Sequence, residues 1–494
     1  MQLLMEQVIL GKQNRFGRSS EKMEDTNQIC FLEVDGTIVF FNEAEAVCNL
    51  SAAEPENLEL KSPKQPKRKG KKEADLSGLP VRRIDHYLSE AELEAEFGKK
   101  GWKQLPDAIS RKYHFVPAKV EVEEHHIGVY ASKTDEHMVK ADHPKALLHG
   151  SLVSPSLGAA IINGKYVNAV PLYRLEQEFQ RYDLQITRQN MANWCIRLAE
   201  EYLSILYDYL HKELYSYHVI QEDETPVLVN HDGRKAGSKS WMWVYRSGHL
   251  YQKQQIVLYE YQPSRKAAHA EEFLKGFSGW LHADGYQGYH KLPENIRVVG
   301  CWAHARRKFD EALQTIPKED RKGSLAATGE CYCTRLFQLE ESLAELTPEE
   351  RYTQRLELEK PVLDALLAWA NETLPKTAPK SALGKALHYL LEQWPYLVRY
   401  LEDGRLELSN NRAERSIKPF VMGRKNWLFA NTPAGAQSSA VIYSLIETAK
   451  ENQLDPYRYL LWVLRNAPAL SQTDESWAEK LLPALAPQEY KTPS

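Results

Sequence analysis

No apolar run in this chain approaches the ~20 residues needed to cross a bilayer, which argues against a helical membrane protein. Its six cysteines, at 30, 48, 195, 301, 331 and 333, include no C-x-x-C pair. That excludes the usual zinc-ribbon spacing and provides no disulfide framework. The opening stretch, MQLLMEQVILGKQNRFGRSSEK, lacks the charged-then-apolar order and small-residue cleavage site of a secretory leader. Together these absences predict a cytoplasmic protein with reduced thiols and no membrane partner. An excess of one charge is also missing, since 63 Lys and Arg face 67 Asp and Glu, a net of -4. No global field draws the chain to a polyanion, so any such binding must rest on local patches.

What is present is the material of a large globular protein. At 494 residues, 43% of them hydrophobic and 26% charged, the chain can fill sizeable cores and predicts two to four domains. Residues 1–75 read as an N-terminal stub and basic linker. They hold a basic stretch, Lys12 to Lys22, and a hairpin around FLEVDGTIVFF turning at Asp35-Gly36. They also hold KSPKQPKRKGKK from Lys61 to Lys72, which cannot pack a core and reads as a solvated joint or as a tether along phosphates. Residues 76–140 contain alternating stretches such as YHFVPAKVEVEEHHIGVYAS and read as a small β-rich module.

Residues 141–212 are helical. Thr187 is a suitable N-cap for a helix carrying Trp194 and Leu198 on one face, and Arg188 and Gln189 at its start fit a helix-turn-helix as well as plain packing. Residues 213–310 then order three antiparallel strands, a helix, a short strand, another strand and a basic helix. That is the order of an α/β, ribonuclease-H-like mixed sheet. Residues 311–405 read as an all-α insertion, and 406–468 as the second part of the core, with one amphipathic helix over 437–465. Residues 469–494 read as a loose tail, the loosening beginning after Pro468.

In such an order Asp223 ends the first strand, just before Pro226, and Asp284 ends the fourth, where Gly285 permits a sharp exit. First and fourth strands are neighbours, so the two carboxylates meet and repel unless a cation lies between them. Glu414 lies in SNNRAERSIKP, where Ser409 or Asn410 can cap a helix that presents Glu414 and Lys418 one turn apart. Three hard oxygen donors suit Mg²⁺ or Mn²⁺, two ions ~4 Å apart acting on both sides of one phosphorus. Taken singly, a strand-end Asp or a helical Glu is a solvated charge; only their placement in one order favours a site. Glu447 in YSLIETAK and Glu224, adjacent to Asp223, are competitors.

The chain also resembles the insertion sequence 66 family of bacterial DDE transposases. The resemblance lies in RFGRSSEK (15–22), PLYRLEQEFQR (171–181), DETPV (223–227), HADGYQGY (282–289), GCWAHARRKF (300–309), SNNRAERSIKPFVMGRKNWLFA (409–430) and SSAVIYSLIETAKENQLDPYRYL (438–460). It implies an endonuclease and strand transferase acting on element ends and target DNA. Asp223, Asp284 and Glu414 fall on the family's acidic positions. As partners it implies DNA, further copies of the chain on that DNA, and accessory proteins of the same element. Relatives usually carry a longer helical N-terminus and a Cys-rich zinc module, whereas 76–140 has no cysteine; no structural zinc is expected, and an inactive DNA-binding remnant is the alternative reading.

Around the carboxylates, Arg306, Arg307, Lys308, Lys418, Arg424 and Lys425 are candidates to neutralise phosphates, against the ordinary reading of a solvated helix face. His304 is a candidate for orienting DNA or an acidic residue. Cys301-x-x-His304 supplies too few ligands for zinc. Trp427 and Phe429 suit stacking on an unpaired base, or packing in a core. A carbohydrate-active enzyme with paired acids is disfavoured by the strand order and by the basic residues after each acid.

Overall fold

A computed structural model describes residues 83–84, 86–98, 119–131, 137–143, 145–235, 237–248 and 254–492, and the backbone of 32–34 and 37–39. The chain divides into two compact units, residues 20–118, and residues 1–19 with 119–494. In the smaller, β1 (Leu32–Val34) pairs antiparallel with β2 (Thr37–Val39) in the register Val34↔Thr37; the turn expected at Asp35-Gly36 lies outside the described residues. Helix α1 (Glu90–Phe97) starts at a capping box in which the Ser89 N–H donates to Glu92 at 2.7 Å. The basic stretch Lys12–Lys22 and the Lys61–Lys72 run lie outside the described residues.

In the larger unit, β3 (Val129–Ala131) pairs with β4 (Met138–Lys140). The alternation over 113–132 forms no other strand among the described residues. Among the described residues of 76–140, α1 and this short hairpin are the regular elements.

Helices α2 (Pro155–Ile162), α3 (Leu172–Gln180), α4 (Arg188–Leu198) and α5 (Ser204–Leu214) follow. Thr187 caps α4 as expected, its hydroxyl accepting from Asn190 N at 3.2 Å. A π-helical turn, Ala199–Leu203, makes α4 and α5 one continuous rod. The rod's Leu198, Leu203, Leu206 and Leu210 are fully buried in the same core as the sheet, so this region is no separate module.

The sheet consists of β5 (Val219–Leu228), β6 (Lys239–Ser247), β7 (Val257–Gln262), β8 (Gly279–His282) and β9 (Ile296–Val299), with α6 (Ala267–Phe273) before β8. The spatial order is β7-β6-β5-β8-β9, the first three antiparallel and β8 and β9 parallel to β5. The first and fourth strands are therefore neighbours, as the element order requires.

After α7 (Trp302–Gln314) the chain builds α8 (Leu325–Ser342), α9 (Pro348–Leu358), α10 (Lys360–Thr373) and α11 (Ala382–Leu397) around a second core shared with Val219, Val299 and Trp302. At its centre every N–H of the buried Arg355 is used. Nε donates to Glu340 at 2.5 Å, Nη2 to Glu340 at 2.8 Å and the Leu406 carbonyl at 2.7 Å, and Nη1 to the carbonyls of Tyr400 and Asp403 at 2.9 and 3.1 Å. Glu359, with no exposure, receives a bond from the Tyr400 hydroxyl at 2.5 Å but none from that guanidinium.

The chain then returns to the sheet as α12 (Asn411–Trp427), α13 (Pro433–Glu451) and α14 (Pro456–Thr473). Helix α13 lies on β7, with Ser444 and Thr448 hydroxyls accepting from the N–H groups of Tyr259 and Val257 at 2.7 and 3.0 Å. The single helix expected over 437–465 is two helices, because Asp455 caps a new start at Pro456, accepting from Arg458 N at 2.8 Å. Nor is the tail loose. Pro468 is buried inside α14, and Trp477 and Leu481 join the core, where Tyr459 donates to the Leu481 carbonyl at 2.9 Å. Apolar burial there outweighs the helix bond that Pro468 cannot make.

Candidate active site

Asp223 lies in the middle of β5, not at its end, because the strand continues through Pro226 to Leu228 against β6. Strand β8 accompanies β5 only over Val219–Gln221, so that edge has no strand partner beside Asp223, and it is next paired where Ala430 bridges to Val229. The carbonyls of His218 and Glu222 face this edge, accepting from Trp280 N at 2.7 Å and Asn410 Nδ2 at 2.6 Å. Backbone groups alternate along a strand, so the nitrogen of Pro226 faces the same edge and no ladder bond is lost. Asp223 accepts from Glu224 N at 2.9 Å. Its partial burial, and then the charges of Glu224, Glu414 and Asp284, hold its carboxyl well above the ordinary carboxylate range.

Asp284 follows the end of β8 at His282 by two residues, as expected. The N–H of Tyr286 donates to it at 2.8 Å, and Arg265 Nη2 stands 3.7 Å away. Gly285 does not serve a left-handed exit. It lies under the helix α11, where a β-carbon would stand 2.9 Å from the Tyr389 ring and 3.1 Å from Gln393.

Glu414 sits in the first turn of α12, whose cap differs from the expected one. Neither Ser409 nor Asn410 caps it with its side chain. The fully buried Asn410 instead donates to the Glu222 carbonyl, and its own N–H donates to Cys301 Sγ at 3.2 Å. The helix bearing the third acid is thereby pinned to the strand bearing the first. Glu414 accepts from Arg307 Nη2 at 3.3 Å and faces His304 Nε2 at 3.5 Å. Burial works against a charge on His304, but the Cys301 sulfur and then Glu414 outweigh it and raise its pKa to about 9. His304 thus addresses an acidic residue, one of the two roles expected of it.

The other candidates separate clearly. Arg307 reaches Glu414, whereas Arg306 turns to the insertion, 3.4 Å from Glu330 and 5.8 Å from the Phe337 ring centre. Lys308 pairs with Glu311 at 3.3 Å. Arg424 donates to Thr225, on the strand of Asp223, at 3.2 Å, and Lys418 and Lys425 are exposed on α12. Trp427 packs against Phe420, ring centres 5.4 Å apart, so the core reading holds for it; Phe429 is exposed. Among the competing acids, Glu447 pairs with Lys450 at 2.8 Å on α13. Glu224 is buried, held by the Tyr289 hydroxyl and by Arg265. Glu222 is buried beside Tyr245 and Tyr289, and burial, followed by Glu224, holds its carboxyl well above the ordinary range.

Arg265, Tyr286 and the role of Asn410 as a pin to Glu222 rather than a cap escaped the sequence reading. Only the polar loop PSRK (263–266) between β7 and α6 signals a functional position for Arg265. The donors around Asp223 are all carboxylate oxygens, the set suited to Mg²⁺ or Mn²⁺. The charges of Glu224, Glu414 and Asp284 add to burial in raising the proton affinity of Asp223, and a cation would relieve that charge. Among the described residues no three His, Cys, Asp or Glu side chains are gathered as ligands of one ion; Glu414 is turned to Arg307 and His304, and Asp284 to the Tyr286 N–H.

Three family models match the chain: "Transposase IS66 family" over residues 150–438, "IS66 C-terminal element" over 444–484, and "Transposase C of IS166 homeodomain" over 3–84. Two relatives are uncharacterized proteins of Sinorhizobium fredii (strain NBRC 101917 / NGR234). Protein y4qI is 30% identical over 394 residues, covering 77% of this chain and 71% of its own. Protein y4jD is 30% identical over 392 residues, covering 77% and 75%.

Proposed function

We propose, on the premise that this chain belongs to the IS66 family of transposases, that it cleaves DNA strands at element ends and transfers them into target DNA at a centre formed by Asp223, Asp284 and Glu414. The observation that carries the proposal is the convergence of three acids from distant parts of the sequence. An Asp just past the neighbouring parallel strand and a Glu in the first turn of a pinned helix both bring their charge to bear on the mid-strand Asp223. The sheet order and the all-α insertion support a ribonuclease-H-like reading of the core.

Asp223, Asp284 and Glu414 would hold divalent cations, which supply activation of the attacking hydroxyl and stabilisation of the leaving oxygen. Within the chain, Asn410 fixes Glu414 relative to Asp223. Arg307 and His304 orient the Glu414 carboxylate, and Arg424 braces α12 against β5. Lys418 and Lys425, exposed on the helix of Glu414, bind the phosphates on either side of the scissile one. The exposed N-terminus of α4, with Arg188 and Gln189, is the second DNA contact, and the DNA-bound form is an oligomer aided by accessory proteins of the element. No described helix is long and apolar enough to cross a membrane.

The test is purified protein, Mg²⁺ or Mn²⁺ and a labelled end of the parent element. Cleavage that vanishes in Asp223→Asn, with DNA binding retained, supports the site; normal 3′-end cleavage by that variant sinks it.

A further inference from the structure

Behind Asp284 stands a network that the proposed reaction does not yet use. Arg265, in the loop between β7 and α6, places its guanidinium against two carboxylates at once. It pairs with Glu224, the buried neighbour of Asp223 on β5, and stands 3.7 Å from Asp284. The same guanidinium lies over the Tyr286 ring, 4.0 Å from its centre, and 5.1 Å from that of Trp241 on β6. Tyr286 closes the circuit, because its N–H donates to Asp284 at 2.8 Å and its hydroxyl donates to the Arg265 carbonyl at 2.5 Å.

The side chains of Glu224 and Tyr289 lock the far end of this circuit into the core, Tyr289 donating to Glu224 with only 1% of its own surface exposed. Asp284 itself lies outside any strand, beyond the last bridge of β8, so no ladder bond fixes its distance from Asp223. A planar, always-charged fork held on two sides by aromatic rings is suited to fixing that distance, which a flexible ammonium is not.

Resting on the function proposed above, we infer that Arg265 is a positioning residue. It ties the Asp284 loop to the strand of Asp223 through Glu224, and so sets the spacing at which the two aspartates receive a divalent cation. Tyr286 is the second member of the device, holding both the Asp284 carboxylate and the backbone of Arg265.

The experiment compares wild type with Arg265→Ala, Arg265→Lys and Tyr286→Phe in the full chain. Three quantities are read: Mn²⁺ half-saturation by calorimetric titration without DNA, affinity for a labelled element end without metal, and single-turnover cleavage with Mn²⁺. The expected result for Arg265→Ala is a rise in half-saturation and a fall in cleavage rate, each about 10- to 100-fold, with DNA affinity unchanged. Arg265→Lys keeps the charge and recovers part of the loss. Tyr286→Phe, which keeps the ring and loses only the hydroxyl bond, moves the same two readouts less far. Wild-type Mn²⁺ affinity in Arg265→Ala overturns the inference, and so does a loss confined to DNA affinity, which would make Arg265 a phosphate contact. Should Arg265→Ala not fold, Tyr286→Phe decides in the same terms. If wild type binds Mn²⁺ but cleaves no end, the proposed function fails, while the titration still decides on Arg265.

Discussion

Glu359→Gln should remove the loss of stability that the helical insertion suffers as pH rises. Glu359 is fully buried between α9 and α10, beside a guanidinium whose every N–H is already committed to Glu340 and to carbonyls. Its proton affinity is raised to about 8, by burial first and next by Glu340, against an ordinary value of 4.5. The folded chain therefore keeps a proton there that the unfolded chain loses near 4.5. Stability from this proton is complete below the unfolded value and is lost as pH rises through about 8. The slope is roughly 1 kcal/mol per pH unit, several kcal/mol across the window. Glutamine imitates the protonated acid, since its oxygen still accepts from the Tyr400 hydroxyl and its NH₂ can face Glu340, yet it does not titrate. The assay is calorimetric melting of the intact protein and the variant in parallel, from about pH 5 to 9. The variant should gain on wild type steadily as pH rises. Melting curves that stay parallel over this range would refute the buried neutral acid.

Four other outcomes follow from the site. Replacing Asp284 by Asn or Glu414 by Gln should lower metal-dependent cleavage about a thousand-fold, as the loss of several kcal/mol of charge stabilisation requires, with end binding retained in a gel-shift assay. Asn410→Ala orphans the Glu222 carbonyl and frees the start of α12; it should cost about 1–3 kcal/mol, read as a lower melting temperature, and slow cleavage as well. Gly285→Ala forces a β-carbon against the Tyr389 ring and should cost about 1–3 kcal/mol, with cleavage impaired beyond the loss of folded protein; the double variant with Tyr389→Ala should recover part of it. Lys418→Ala and Lys425→Ala should each weaken DNA binding and lessen the slope of log K against log salt by about 0.9, measured by fluorescence anisotropy.

Much of the sheet was legible because its strands carry long apolar or β-branched runs. VVG at β9 and IVLYEY at β7 admit no other reading, and the order of elements alone predicts that β5 and β8 are neighbours. The details that depend on what lies opposite were not legible. Pro226 looks like a terminator until the edge it faces is seen to lack a strand partner there, and Gly285 looks like a turn residue until Tyr389 is seen above it. Pro468 and the tail failed for the same reason, since composition does not reveal a groove into which Trp477 and Leu481 fit. At the site, the acids could be placed from their strands and helix, but Arg265 could not, because a loop arginine has no periodicity to betray its partners.

The insertion also sets a timetable. Both aspartates and the strands that carry them have left the ribosome long before Glu414, because the whole of α8 to α11 must be synthesised in between. At ordinary rates of translation this interval is on the order of ten seconds. Helices built from local contacts fold far faster than that. The insertion can therefore be formed while α12 is still being made, leaving the Asn410 pin as a late closure onto an edge held ready at Glu222. On the proposed reading of the site, a nascent chain would then carry an acidic pair with no third member until Glu414 had been made.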